Sequence, residues 1–495
     1  MTSDREKVRL IFGLKMRQLR VNLQLSTYEL AEQTGLSPSY LNEIEKGKKY
    51  PKTEKIFVLA KVLGTDYDSM VSLQVNKQLE PVVDLLQSDK LSDLPLSLFG
   101  IEPGYFLEIM ANAPAKLSAF INTLIEIGRN YDLRVEQFYF SVLRTYQSLH
   151  DNYFEDLEAE VASFLSENAL PASSTLYAEW LRLILIEKFG CTIEAYDGDT
   201  KPALTMLRSV FLPEKNRLLL NKKLSLEQKS FTLAREVGYR QLKITVRPFE
   251  SSMLEARSFE EVLNNFRASY FARAILIPRD IFLKQLEALF KLNQWQPDRL
   301  LAMMEQFSVT PEMFLLRMTN ILSSYFGLKE LYFLRYNSLP DNRFELSKEL
   351  HLSKLHTPHG VARNEHYCRR QITVTILNEL HEMQQAGTWD GKPICRAQRM
   401  TFVSNGNAYF VFSIAKSSPP SAGNSSINIG FPINKDLRKA LPFFNDPAIP
   451  DVQVGGTCER CPIENCEVRA AAPTILHIQK QKKAAKACIQ NLRFE

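Results

Sequence analysis

At 495 residues, with 45% apolar and 24% charged residues, the chain is too long for one compact core and has the composition of an ordinary soluble protein of about three domains. No apolar run is long enough to cross a bilayer, and Met1-Thr2-Ser3-Asp4-Arg5 lacks the apolar stretch of a secretory signal, so a cytoplasmic protein without membrane contact is expected. A formal charge of only +5 confines any nucleic-acid binding to a local basic face, and seven cysteines, four of them in the last forty residues, suit a reducing compartment and favour metal over disulfides.

The stretch from Met16 to Gly64 reads as a helix-turn-helix followed by a packing helix. A short helix from about Thr27 carries Leu30 and Ala31 on its inner face. Gly35 can take the positive φ of the turn, and Ser37 is placed to cap a second helix, roughly Pro38 to Lys46, with Pro38 at its first position. Leu41 and Ile44, three apart, face inward; Ser39, Tyr40, Asn42 and Glu43 face outward. A helix that opens with short polar side chains suits the major groove, where the N-terminal residues of a reading helix approach base edges. Arg17, Lys46, Lys48, Lys49 and Lys52 surround it and can neutralise phosphates.

This block, about the first seventy residues, resembles the DNA-binding domain of the xenobiotic-response-element type of repressors. That family usually has Gln where this chain has Thr27. The resemblance implies a five-helix domain over residues 1–75 bound to a double-stranded DNA operator. The expected DNA-binding residues are Arg17, Thr27, Tyr28, Ser37, Ser39, Tyr40, Asn42, Lys46, Lys48 and Lys49.

From about Leu79 to Ala169 the spacing is helical, as in Phe138, Phe140, Val142, Leu143, Tyr146 and Leu149, with breaks at Asp93-Leu94-Pro95 and Pro103-Gly104. Residues 76–172 are therefore expected to be a helical linker or dimerisation region, ending at the joint Leu170-Pro171-Ala172-Ser173-Ser174. Beyond it the pattern predicts a helix, short strands around Thr192 to Tyr196 and Arg217 to Leu220, a helix from about Ser225 to Leu242 and a helical stretch from Phe259 to Thr319. Strand-like runs then cover Tyr332 to Tyr336, Arg396 to Val403, Ala408 to Ile414 and Ser426 to Gly430. The fold class is thus mainly α with an α+β C-terminal part, divided after the linker into residues 173–325 and 326–495.

The segment FTLAREVGYRQL, Phe231 to Leu242, resembles the active-site helix of the cytoplasmic zinc metallopeptidases that cleave repressors, which carries His-Glu-x-x-His. That chemistry needs neutral imidazoles four apart on one helix face to hold zinc, with the glutamate as general base. Here the histidine positions are Arg235 and Tyr239, and only Glu236 remains; an arginine cannot lose its charge to become a ligand. RASYFARAILIP resembles the segment that supplies that family's acidic ligand, and the matching position is Arg267, with no carboxylate from Val262 to Pro278. No catalytic residue and no peptidase activity are expected. The cleft that such a fold leaves can be relined for a small molecule, which makes Arg235, Tyr239, Arg267 and Arg273 candidates for holding an anion.

Cys458, Cys461 and Cys466 form a Cys-x2-Cys-x4-Cys arrangement that can converge on one soft metal, with Cys368, Cys395, His477 or Cys488 open as the fourth ligand. The run CERCPIENCEVRAAAP from Cys458, with HYCRR at His366, YFVFSIAK at Tyr409 and INIGFP at Ile427, resembles the C-terminal domain of the short-chain fatty-acyl transcriptional regulators. That bacterial family joins this type of helix-turn-helix to a degenerate metallopeptidase-like region and a cysteine-bearing domain. The resemblance implies an iron–sulfur cluster or zinc on Cys368, Cys458, Cys461 and Cys466, and a short-chain acyl-coenzyme A as effector. The family's aromatic three residues beyond Cys368 is Gln371 here. The Lys480 to Lys486 run near the end is expected to be a solvated helix.

Together these features predict a homodimeric transcriptional regulator of fatty-acid or propionate-type metabolism, switched by a small effector. The alternatives are a metal- or redox-sensing transcription factor that uses the cysteine centre, and a DNA-bound cytoplasmic metallopeptidase.

Overall fold

The structure, a computed structural model, describes residues 4–72, 135–200, 202–251, 253, 255–352, 365–417 and 423–491. The breaks expected at Asp93-Leu94-Pro95 and Pro103-Gly104, and the helical pattern from Leu79 up to residue 134, lie outside the described residues. The chain divides into two units, Met1–Val142 with Ala256–Val262, and Leu143–Glu255 with Leu263–Glu495.

The first unit opens with α1 (Asp4–Asn22), α2 (Thr27–Thr34), α3 (Pro38–Glu45), α4 (Thr53–Val62) and α5 (Tyr67–Val71). Ser26 and Glu29 form a capping box at the start of α2, Gly35 ends it at φ 68°, and the Ser37 hydroxyl accepts the Tyr40 N–H at the start of α3. These local signals set the α2–α3 turn before any packing is considered. Phe12, Met16, Leu30, Leu41, Ile44, Ile56 and Leu59 then close one core, each large side chain contributing about 1.5–3 kcal/mol on burial. Gly13 allows α1 to run directly against the Ile44 carbonyl, where a Cβ has no room. Arg20 locks α1 to α3 through a bidentate pair with buried Glu45, at 2.6 and 2.9 Å, and also donates to the Leu25 carbonyl.

Next come α6 (Val135–Leu149), α7 (Glu155–Glu167), α8 (Tyr177–Glu187), β1 (Thr192–Tyr196), β2 (Ser209–Leu212), β3 (Arg217–Asn221), α9 (Leu226–Gln241) and β4 (Glu250–Ser251). Four helices follow, α10 (Phe259–Leu276), α11 (Arg279–Phe290), α12 (Pro297–Gln306) and α13 (Pro311–Phe326). The small sheet has the order β1-β3-β2-β4, with β1 parallel to β3 and the other pairs antiparallel. The large sheet is built from β5 (Tyr332–Leu339), β6 (Arg343–His351), β7 (Ile394–Phe402), β8 (Ala408–Ser417), β9 (Asn424–Pro432) and β10 (Asp451–Val454), in the order β10-β7-β8-β9-β5-β6. Its helices are α14 (Ile372–Gln385), α15 (Lys435–Ala440) and α16 (Thr474–Asn491); α16 buries no side chain, as a solvated lysine-rich helix should.

Strand β8 reads as a nearly continuous apolar run, and β9 is buried along its whole length although it alternates polar with apolar residues, because the sheet is covered on both faces. Phe410, Phe412, Ile427, Ile429 and Phe431 face the helical core that contains Phe314 and Leu322 of α13. Tyr409, Val411, Tyr332 and Tyr336 face Ile376 and Leu380 of α14. Gly430 has no room for a Cβ under the Tyr332 ring, and Ser426 donates to the Thr373 carbonyl of α14 at 2.7 Å.

The helical core of the second unit is crossed by one fully buried ion pair. Arg317 of α13 donates to both oxygens of Glu158 of α7 and to the Ile277 carbonyl, while the Tyr270 hydroxyl of α10 donates to Glu158 at 2.7 Å. Burial pushes the Glu158 carboxyl up, but the Arg317 charge and the hydrogen bonds outweigh it and hold the group below its ordinary value. A carboxyl lowered in the folded state contributes stability that is complete above its unfolded value, about 4.3, and is lost as pH falls through the folded value. Glu158→Gln leaves Arg317 charged and buried without its anion, at an expected cost of about 3–5 kcal/mol. Denaturant midpoints of the full chain between pH 7 and 3 check this: the variant should start lower and show a shallower acid loss than the parent. Equal midpoints and parallel acid profiles would refute the assignment.

Candidate functional site

Two sites emerge, one in each unit. In the first, Ser39 and Asn42 stand exposed along α3, while Leu41 and Ile44 on its other side are fully buried. Ser37 caps the helix and Tyr28 on α2 is 77% exposed, whereas Thr27 and Arg17 are half-buried. Tyr40 is partly spent on the fold: its ring packs on the domain core and its face carries the Lys55 ammonium at 4.1 Å. Lys49 is paired with Glu43 at 2.8 Å, so a phosphate must compete with that carboxylate, while Lys46 ends α3 and Lys48 stands exposed. Ser37, Ser39, Tyr40, Glu43 and Lys49 border a depression of about 430 Å³ that Lys55 also reaches. The sequence reading missed Lys55, although it lies on the outer side of α4 beside buried Ile56.

In the second unit, Arg235, Glu236 and Tyr239 all lie on α9. Glu236 is buried with both oxygens occupied: Arg247 donates to Oε1 at 2.9 Å and to Oε2 at 2.5 Å, and Arg240 donates to Oε1 at 3.1 Å. Burial pushes the Glu236 carboxyl up, and these two guanidiniums more than reverse it, holding it below its ordinary value. Such a carboxylate is not free to take a proton from water. Tyr239, at the second histidine position, lies under the Arg247 guanidinium at 3.7 Å and donates to Asn265 of α10 at 2.8 Å.

A cavity of about 280 Å³ opens beside them. Among the described residues it gathers six cationic side chains, Arg208, Arg235, Arg273, Arg335, Lys348 and Lys416, around a single carboxylate, Glu312. Glu312 binds Arg335 at 2.7 Å and Lys348 at 2.9 Å; burial pushes its carboxyl up, but Lys348 and Arg335 hold it well below the usual carboxylate range. Arg273 is 6% exposed, its Nε has no hydrogen-bond partner among the described residues, and burial pushes its guanidinium down to about 10.

Of the residues expected to hold an anion, Arg235 and Arg273 line this cavity. Tyr239 reaches its edge only through Asn265. Arg267 does not line it and pairs instead with Asp156 at 3.4 Å, because three residues along α10 from Tyr270 it faces α7 at the surface. Arg208, Arg335, Lys348 and Lys416 were not legible as site residues, since strands β5, β6 and β8 deliver three of them from far along the chain.

The cysteines lie apart from the cavity. Cys368 Sγ accepts the Gly455 N–H at 3.3 Å, Cys458 Sγ accepts the Ala470 N–H at 3.4 Å, and a Cβ on Gly455 would meet Cys461 Sγ at 2.9 Å. Buried thiols that accept backbone N–H groups are suitable chemistry for a soft metal. Among the described residues, however, no three His, Cys, Asp or Glu side chains are arranged to hold one, and Cys466 is half-exposed. The expected set Cys368, Cys458, Cys461 and Cys466 forms no such group among the described residues. Cys395 is buried in β7 and Cys488 is exposed on α16. Gln371 is built into the fold: buried, it donates to the Gly455 carbonyl at 2.7 Å.

The first unit thus carries a helix-turn-helix, and α9 of the second unit carries Arg235 and Tyr239 where the metallopeptidase helix that it resembles has histidines. The helix-turn-helix family profile matches residues 16–69, which implies DNA binding, and the profile described as the IrrE N-terminal-like domain matches residues 187–319. A curated relative, the propionyl-CoA carboxylase regulator of Cereibacter sphaeroides, is 29% identical over 115 residues, 23% of this chain and 23% of that protein. The chain thus spans under a quarter of that relative's length in the match. A solved Mycobacterium tuberculosis transcriptional regulator superposes with a TM-score of 0.47 at 18% identity, covering 68% of this chain and 93% of the other. Among the described residues, no helix is long and apolar enough to cross a membrane.

Glu236→Gln should lower the unfolding free energy read from denaturant melts by about 3–5 kcal/mol, because Arg247 is left buried without its anion. A variant of unchanged stability that loses a measurable peptide-hydrolysis activity would return Glu236 to the role of general base.

Proposed function

We propose that this chain is a sequence-specific DNA-binding transcriptional regulator that acts as a homodimer and is switched by a small effector, a short-chain acyl-coenzyme A of propionate-type metabolism, without enzymatic activity of its own. The observation that carries it is α3: a helix capped by Ser37, matched by the helix-turn-helix profile, with Ser39 and Asn42 exposed beside Lys46 and Lys48. Dimerisation follows from geometry, since one reading helix spans a few base pairs and two half-sites a helical turn apart supply the affinity that one domain lacks. The acyl-coenzyme A reading draws support from the relative named a regulator of propionyl-CoA carboxylase, and from a cavity whose charged lining among the described residues is six cations against one carboxylate. An effector acts here only by favouring one arrangement of the two reading heads over another.

Selection of bound fragments from genomic DNA, followed by competition against random duplex at moderate salt, tests the proposal. On the selected site Asn42→Ala should cost about 1–3 kcal/mol and relax preference at one position, whereas Lys48→Ala should weaken all sequences alike and reduce the salt slope by about 1. No preference for any fragment, with or without propionyl-coenzyme A, refutes the proposal. The second reading, a metal- or redox-responsive regulator, is carried by the thiols of Cys368 and Cys461 beside Gly455. Anaerobic purification with metal analysis and an absorption spectrum distinguishes it.

A further inference from the structure

The cavity of the second unit has a surplus of positive charge that the chain itself does not answer. Glu312 pairs with Arg335 and Lys348, and Lys416 is within 4.0 Å of Glu227. Arg208, Arg235 and Arg273 have no ion-pair partner among the described residues, and the Arg273 Nε is buried and unbonded. Arg208 and Arg235 are half-buried and Arg273 is buried; a guanidinium kept out of water without an anion, as at Arg273, is costly, and a planar fork that finds no carboxylate in the fold is matched by phosphoryl oxygens. The start of α13, with Thr310, Pro311 and Met313, also borders the cavity, so the positive end of a sixteen-residue helix adds to the same potential.

A monocarboxylate answers one of these charges and leaves the others unpaired. A cavity of about 280 Å³ lies below the range of about 300–1,000 Å³ that encloses a drug-sized ligand, yet it has room for two linked phosphoryl groups.

We propose that this cavity binds the diphosphate moiety of its ligand through Arg208, Arg235 and Arg273, and that Glu312 is the internal anion that competes with it for Arg335 and Lys348. The chemistry is shared by a coenzyme A and by a nucleoside diphosphate. In either case the cavity takes the phosphorylated part and the remainder of the molecule extends beyond it. Glu312 then sets specificity by charge: it withholds two cations from weak or singly charged anions and yields them to a polyanion. The inference rests on the effector reading above only for its biological role, since the binding is measured without DNA.

The test is calorimetric titration of the full-length chain with inorganic pyrophosphate, orthophosphate, propionate, ADP and coenzyme A at fixed ionic strength. Pyrophosphate should bind at least about tenfold more tightly than orthophosphate or propionate, and Arg273→Gln should weaken it about tenfold or more. Glu312→Gln should tighten it, an effect that a folding defect cannot imitate. ADP binding tighter than coenzyme A assigns the site to a nucleotide, and the reverse order assigns it to the coenzyme. Equal binding of pyrophosphate and propionate, no binding of any phosphate, or affinity indifferent to Arg273→Gln and Glu312→Gln overturns the proposal. Pyrophosphate binding without sequence-selective DNA binding would sink the regulator reading alone, and specific DNA binding without a pyrophosphate site would sink this one alone.

Discussion

The second unit depends on how a buried carboxylate is neutralised. On the scaffold that α9 and α10 resemble, a divalent cation held by imidazoles supplies the positive charge beside the helix glutamate. Here guanidiniums supply it. Arg247 takes both oxygens of Glu236 and Arg240 shares one, so the charge that would otherwise be costly to bury is compensated by the chain itself. Because each guanidinium is permanently charged and directional, the arrangement is static: it holds α9 to the Arg247 segment and leaves no open coordination position for water.

The same substitution changes what the neighbouring space is good for. A metal site concentrates charge at a point; a set of arginines spreads it over a surface. In this chain the spread is uneven, because Glu236 absorbs Arg240 and Arg247 completely, whereas Glu312 absorbs only the cations delivered by β5 and β6. The residual positive charge therefore belongs to the cavity wall built by Arg208, Arg235 and Arg273, and electrostatic focusing in such a concavity favours anions over neutral molecules whatever their shape.

Local signals were the most legible part of the sequence. The capping serine at Ser37, Pro38 behind it and the positive φ at Gly35 each have a stereochemical cause confined to a few residues, and the α2–α3 turn follows from them. Strand β1 spans Thr192–Tyr196, the stretch its β-branched and aromatic residues suggested. Strands β6 and β10 were not legible. β6 alternates exposed and half-buried residues at the sheet edge, so RFELSKELH reads as polar, and the four residues of β10 follow Pro450 with little apolar pattern. The long helical reading from Phe259 to Thr319 resolves into α10 to α13, broken where Pro278, Pro297 and Pro311 restrict the chain. The cavity was half legible for a related reason. Arg235 and Arg273 could be placed by resemblance to a helix, but Arg335, Lys348 and Lys416 meet them only through the order β8-β9-β5-β6 of a sheet.

Position along α10 explains why one arginine of that helix serves the cavity and another does not. Tyr270 is fixed by Glu158, which Arg317 fixes in turn, so the rotation of α10 about its axis is set by a network that is itself fully buried. Three residues back, Arg267 is carried to the surface and paired with Asp156; three residues on, Arg273 is carried into the cavity wall. An arginine on a free helix surface loses rotamer entropy on meeting an anion, about 0.5–1.5 kcal/mol for such a side chain. Arg273, already packed and directed by the Glu158 network, has lost most of that freedom before any ligand arrives. The buried ion pair thus lines no part of the cavity and still sets its quality, because preorganisation of a cation is decided by what holds the helix beneath it.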